Sequence, residues 1–223
     1  MRDAVILAHG MWMGAWAMQG LRLLLSQRGY ASYAFDYRST AHSLDEHARL
    51  LAARIAALRE PVIHLVGHSL GGLVVLRCLR NHGEQRIGRI VLLGTPARAC
   101  IAARRLEDMA AGGWLLGASR DIWRGLPEVF RPRSELGVIA GCRPWGMGRM
   151  VLRLPGTNDG VVRLEETEVR GMRARVVLPV SHSGMLLSAR VARQVAAFLA
   201  HGAFERDDSA APERRSALGR ERR

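Results

Sequence analysis

No apolar run in this chain approaches the length of a membrane span. Cysteines number only 3, at Cys78, Cys100 and Cys142. An odd count without metal-ligand spacing argues against a disulfide framework or a zinc site, and is read as reduced, structural thiols. Lysine is absent: all 33 basic residues are arginine, against 20 acidic ones, for a formal net charge of +13. Aromatic residues make up 5% of the chain, and they do not interleave with the arginines as in a single-strand nucleic-acid binder. The charge is therefore read as arginine usage plus a solvated tail rich in arginine from Glu213 to Arg223, and no nucleic-acid partner is expected. The opening Met1–Gly10 carries a short apolar stretch that breaks at His9-Gly10, with no cleavage site after it. It reads as a first core strand rather than a signal peptide, and the protein as cytoplasmic.

What is present is a hydrophobic content of 48% in 223 residues, enough for one compact domain with a sizeable core. Short apolar runs alternate with helical patterns. Strands are expected at 5–8, 30–35, 62–66, 90–93, 138–140 and 175–178. Helices are expected at 15–28, from the Ser43 capping box to about Arg59, after Ser69 to the Gly83 stop, and at 184–200. Such alternation implies an α/β three-layer sandwich with a mostly parallel, doubly wound sheet of about six strands. Residues 1–205 form this domain. Residues 97–135 interrupt the alternation as a cap or lid insertion, and 206–223 read as a basic, disordered tail.

Gly67-His68-Ser69-Leu70-Gly71-Gly72 follows an apolar run and precedes a helical one. G-x-S-x-G at a strand-to-helix turn is a nucleophile elbow: glycines flank the serine where side chains would collide with strand or helix. The serine hydroxyl is lifted off the sheet to a helix N-terminus, where the Leu70 N–H faces a developing oxyanion.

A serine needs a base, and the base needs an orienting acid. In elbow enzymes the chain order is serine, acid, histidine. Asp159 lies in the glycine-flanked Asn158-Asp159-Gly160 turn, and His182 follows the last strand. The rivals of Asp159 are Glu165, Glu166 and Asp36. His9 and His68 lie beside the site but out of order, His64 reads as a core residue, and His42, His47, His82 and His201 read as solvated. His9-Gly10-Met11-Trp12 supplies the second oxyanion element, with the Met11 N–H as its donor and Trp12 as the weaker choice. Trp12, Trp16 and Met185 are candidate walls of an apolar pocket.

Together these pieces, with Gly94-Thr95-Pro96, resemble the α/β-hydrolase family and its small esterase- and lipase-like members, over about residues 4–200. The resemblance implies a Ser69–His182–Asp159 triad, an oxyanion hole at Met11 and Leu70, no metal or organic cofactor, and strand order 2-1-3-4-5-6 in a reduced fold. It further implies a serine esterase acting on a small acyl ester or lipid. A thioesterase, amidase, acyltransferase or lyase would use the same residues, and a ligand receptor or scaffold could retain them.

Overall fold

The computed structural model describes residues 2–109, 112–119, 132–145 and 154–206. Six strands form one sheet: β1 (Ala4–Ala8), β2 (Ala31–Phe35), β3 (Ile63–His68), β4 (Ile87–Leu93), β5 (Leu136–Gly141) and β6 (Ala174–Leu178). Their order is β2-β1-β3-β4-β5-β6, and every neighbouring pair is parallel. The sheet is thus wholly rather than mostly parallel, in the order the resemblance implied. The order reverses between β1 and β3, so their carboxyl ends open the crevice where parallel sheets place ligands.

Successive strand residues face opposite layers, as the two-residue period demands. Ala4, Ile6, Leu65, Ile90, Leu92 and Val138 pack against α2 (Leu44–Ala57) and α3 (Leu70–His82). Val5, Leu7, Val66, Val91, Leu93 and Ile139 pack against α1 (Gln19–Ser26) and the closing helix Ala189–His201. Burial on both faces explains why these strands read as continuous apolar runs rather than alternating ones.

Two expected helices are divided. The span 15–28 is a 3-10 turn, Ala15–Met18, followed by α1, which stops at Ser26. The span 184–200 is a 3-10 turn, Ser183–Leu187, then the closing helix. Ser188 makes that break: its hydroxyl accepts from the Val191 N–H at 3.3 Å, and it sits in extended backbone as an N-cap should. Ser43 caps α2 in the same way, accepting from the Glu46 N–H. His47, expected on a solvated face of α2, is instead wholly buried. It packs edge-on against Tyr37, whose ring centroid lies 4.7 Å away.

Within the insertion, α4 (Ile101–Glu107) and α5 (Gly112–Leu116) follow β4, and the closing helix becomes α6. Part of the expected cap, residues 110–111 and 120–131, and the tail from 207 onward lie outside the described residues. No helix among the described residues is long and apolar enough to cross a membrane. Cys78 and Cys100 are buried free thiols, which burial pushes up to about 12.

Candidate functional site

Ser69 links β3 to α3 with φ 53° and ψ −120°, a backbone state that L-residues rarely occupy. The surrounding glycines make this turn possible. A Cβ on Gly67 would lie 2.5 Å from the Gly72 Cα, and one on Gly71 would fall onto the carbonyl oxygens of Ala8 and His9. Backbone cannot yield as a flexible side chain does. Gly71→Ala is therefore expected to destabilise the protein by about 3 kcal/mol or more, read as a fall in the urea midpoint. The control is Gly20→Ala in α1, where a Cβ would meet its nearest atom, the Leu186 carbonyl oxygen, at 3.4 Å. There the outcome is neutral to mildly stabilising.

Asp159 and His182 come from two further loops at the same sheet edge. The His182 Nδ1 lies 2.7 Å from Asp159 Oδ2, and both residues are buried. The other carboxylate oxygen, Oδ1, accepts the N–H groups of Val161 and Val162 at 3.0 and 2.8 Å. Asn158 shapes the turn that makes this possible: its Nδ2 donates to the Gly156 carbonyl, and its Oδ1 accepts the Gly160 N–H. Burial alone would push Asp159 up, but the His182 ring and the two N–H groups outweigh it and hold the carboxyl below its usual range. The loops are also tied by backbone, the His182 N–H donating to the Asp159 carbonyl at 2.9 Å.

The pair sits against the ends of β4 and β5. A Cβ on Gly94 would lie 3.0 Å from Asp159 Oδ2 and 3.1 Å from His182 Nδ1, and one on Gly141 would lie 2.8 Å from the Asp159 Cβ. Ser69 joins this edge through its N–H, which donates to the Leu93 carbonyl at 2.9 Å. His68 makes a second link. Its Nε2–H donates to the His182 carbonyl at 3.0 Å, and its ring lies 4.7 Å from that of His182. A carbonyl only accepts, so His68 must carry its proton on Nε2. The structure thus brings Ser69, Asp159 and His182 to one edge.

The loop after β1 passes over the elbow. A Cβ on Gly10 would lie 3.3 Å from the Ser69 Cβ, so Gly10-Met11 runs alongside the serine. Leu70 is the first residue of α3, where N–H groups have no intrahelical acceptor. Trp12 and Trp16 are exposed at this edge, whereas Met185 is buried, its methyl close to Gly94 and Gly141. Met185 is thus a packing residue beneath the Asp159–His182 pair rather than an open wall. Among the rival acids, Asp36 accepts the Ala15 N–H and lies 3.6 Å from the buried His9. Glu165 pairs with Arg163, and Glu166 accepts the N–H groups of Ile101 and Arg163. Sequence reasoning gave Glu166 no anchoring role; its contact with the start of α4 lies 65 positions away and has no local signature. Among the described residues, no group of three His, Cys, Asp or Glu side chains is placed to hold a metal ion.

Four histidines, His9, His47, His64 and His68, are held below their ordinary value chiefly by burial, His68 down to about 3. In the unfolded chain each takes a proton near pH 6.5, and in the folded chain each resists it. Their stability contribution is therefore complete above about pH 6.5 and is lost as pH falls toward the folded values. We expect the urea midpoint to fall steadily from pH 7 to pH 4, with His68→Gln flattening part of that slope. A midpoint constant over this range contradicts neutral burial of these rings.

A family model described as alpha/beta hydrolase family matches residues 5–222. The match takes in nearly the whole chain, and the chain belongs to the alpha/beta hydrolase family. It is 34% identical over 99 residues to a non-heme haloperoxidase of Rhodococcus erythropolis, a stretch covering 40% of this chain and 36% of that protein. Among solved structures, it is similar to the propeptide form of the Bacillus licheniformis lipase BlEst2, with a TM-score of 0.76 and 18% identity, over 94% of this chain and 52% of that one. The mature form of that lipase gives a TM-score of 0.70, over 89% of this chain and 91% of that one, again at 18% identity. A pyrethroid hydrolase from Sphingobium faniae gives 0.64 at 19% identity, over 90% and 98%. At these identities the structural likeness speaks to the fold.

Proposed function

We propose that the protein is a serine hydrolase that cleaves carboxylic esters through an acyl-enzyme intermediate. The observation that carries this reading is the buried 2.7 Å contact between His182 Nδ1 and Asp159 Oδ2, at the same sheet edge as a serine at φ 53°. Asp159 accepts the Nδ1 proton and so leaves the His182 Nε2 lone pair free for the Ser69 hydroxyl. The serine oxygen attacks the acyl carbon as His182 takes its proton, and the Met11 and Leu70 N–H groups stabilise the oxyanion that forms. Collapse expels the alcohol, which recovers the proton from His182. Water then repeats the sequence: His182 takes a proton from it, its oxygen bonds to the acyl carbon, and Ser69 leaves with that proton.

The esterases and lipases among the structural neighbours favour esters over amides, and Trp12 and Trp16 at the edge favour apolar substituents. The test is a panel of p-nitrophenyl esters of graded acyl length. Saturable turnover, abolished by a fluorophosphonate, supports the reading. A flat null over esters, with thioesters or amides turned over instead, reassigns the leaving group. Absence of both turnover and labelling removes the hydrolase reading and favours a non-catalytic ligand-binding role.

A further inference from the structure

We infer that Ser39 is a positioning residue for the Met11 oxyanion donor, and that the insertion after β4 holds Ser39 in place through Ser119. The inference rests on the hydrolase reading for its kinetic meaning, and on the geometry of the loops for the rest.

Trp12, next to Met11, has φ 57°. A bulky side chain in left-handed backbone is costly and persists only where its surroundings enforce it. Here the enforcing groups come from the loop after β2. The Trp12 N–H donates to the Ser39 hydroxyl at 3.0 Å, and the Ala15 N–H donates to Asp36 at 3.0 Å. The Tyr37 hydroxyl donates to the His9 carbonyl at 2.6 Å, and the two rings stack with centroids 4.3 Å apart. Residues 9–15 are thus clamped on both sides of Met11 by residues 36–39. Of these clamps, Ser39 acts directly on the strained residue.

Ser39 is in turn gripped from the insertion. The Ser119 hydroxyl donates to the Ser39 carbonyl at 2.5 Å, and the Ala118 N–H donates to the Thr40 carbonyl at 3.0 Å. Ser39 and Ser119 are both buried. A hydrogen-bonded relay therefore runs from the 117–119 turn through Ser39 to Trp12, joining segments 27 and 80 positions apart. A hydroxyl suits the middle place because it accepts the Trp12 N–H while its own backbone carbonyl accepts from Ser119. Whatever shifts the 117–119 turn shifts the N–H that faces the oxyanion, so this turn bears on the rate of the chemical step.

The test compares Ser39→Ala, Ser39→Thr, Ser119→Ala and the Ser39→Ala/Ser119→Ala pair. A displaced oxyanion donor costs less than a deleted one, so Ser39→Ala is expected to lower kcat about tenfold to a hundredfold with KM within about twofold. Affinity for a trifluoromethyl ketone, which forms a tetrahedral oxyanion adduct, falls by the same factor. The pH profile of kcat/KM does not move, because the Asp159–His182 contact is untouched. Ser39→Thr keeps the hydroxyl and restores most of the rate. Ser119→Ala acts in the same direction, and the pair is no worse than Ser39→Ala alone, since both cut one relay.

Amide hydrogen exchange gives a readout independent of turnover: Ser39→Ala and Ser119→Ala both speed exchange at Trp12. Should the wild type turn over no ester, this exchange still decides whether the relay exists, while the hydrolase reading fails separately. The inference is overturned by unchanged Trp12 exchange in Ser39→Ala, or by a kcat within twofold of wild type. Its second half is overturned by a Ser119→Ala variant that matches wild type in both.

Discussion

Replacing Ser69 with alanine lowers ester turnover by about 10⁴- to 10⁶-fold and leaves the thermal midpoint within a few degrees. The size of the loss follows from the roles assigned. Without the hydroxyl no acyl-enzyme forms, and the oxyanion donors and substrate contacts that remain supply only a small residual acceleration over water. The small change in stability follows from the backbone. Alanine at φ 53° is as strained as serine, so the substitution neither relieves nor adds conformational cost. Ser69→Gly separates the two effects. It loses the same turnover, yet gains about 1 kcal/mol of stability because glycine occupies this region freely. Measured together by steady-state kinetics and thermal unfolding, the two variants should be equally inactive and differ in midpoint, glycine higher. Alanine and glycine of equal stability would contradict a strained elbow.

Asp159→Asn is expected to lower turnover about 10⁴-fold with the fold retained. The Val161 and Val162 N–H groups fix the direction of the new amide, because both donate to Oδ1 and only an oxygen accepts there. The amide nitrogen is then forced into the place of Oδ2, 2.7 Å from His182 Nδ1. It donates to that nitrogen, which must give up its proton, and the imidazole proton moves to Nε2. His182 then presents an N–H to Ser69 where it needs a lone pair. Binding is little affected, so kcat falls and KM does not rise in step. The wild-type carboxyl, held below its usual range, keeps its charge as pH falls through the ordinary carboxylate region. Its contribution to stability is complete above the unfolded value and is lost only as pH falls through the lower folded one. A variant retaining more than about a tenth of wild-type turnover would show that Asp159 does not control the tautomer.

The sheet was legible because its signals are local. β1, β3 and the second half of β4 are buried on both faces, and each is followed by glycine or polar turn residues, as buried parallel strands require. The elbow was legible because its glycine spacing is a short local pattern, although only Gly67 is dictated by atoms of the turn itself; Gly71 answers to the Ala8 and His9 carbonyls and Gly72 to the Thr95 side chain. Helix boundaries were less so. Ser188 sits in an amphipathic pattern that reads straight through it, and only its contact with Val191 shows a cap. His47 read as solvated because polar α2 residues surround it in sequence, whereas Tyr37, ten positions earlier, covers it in space. Asp36 was legible as a polar residue at a strand end, but the clamp formed by Asp36, Tyr37 and Ser39 on residues 9–15 is tertiary throughout. A serine in Arg38-Ser39-Thr40 carries no mark of the tryptophan N–H it will hold. Glu166 is similar: its burial against the start of α4 comes from the insertion folding back on the acid turn.

Whether Ser69 is the nucleophile of a covalent mechanism is decided by peptide mapping after fluorophosphonate treatment. One adduct per chain is expected, on the peptide containing Ser69, and none in the Ser69→Ala variant. An adduct on any other residue, or a wild-type chain that stays unlabelled, would contradict it.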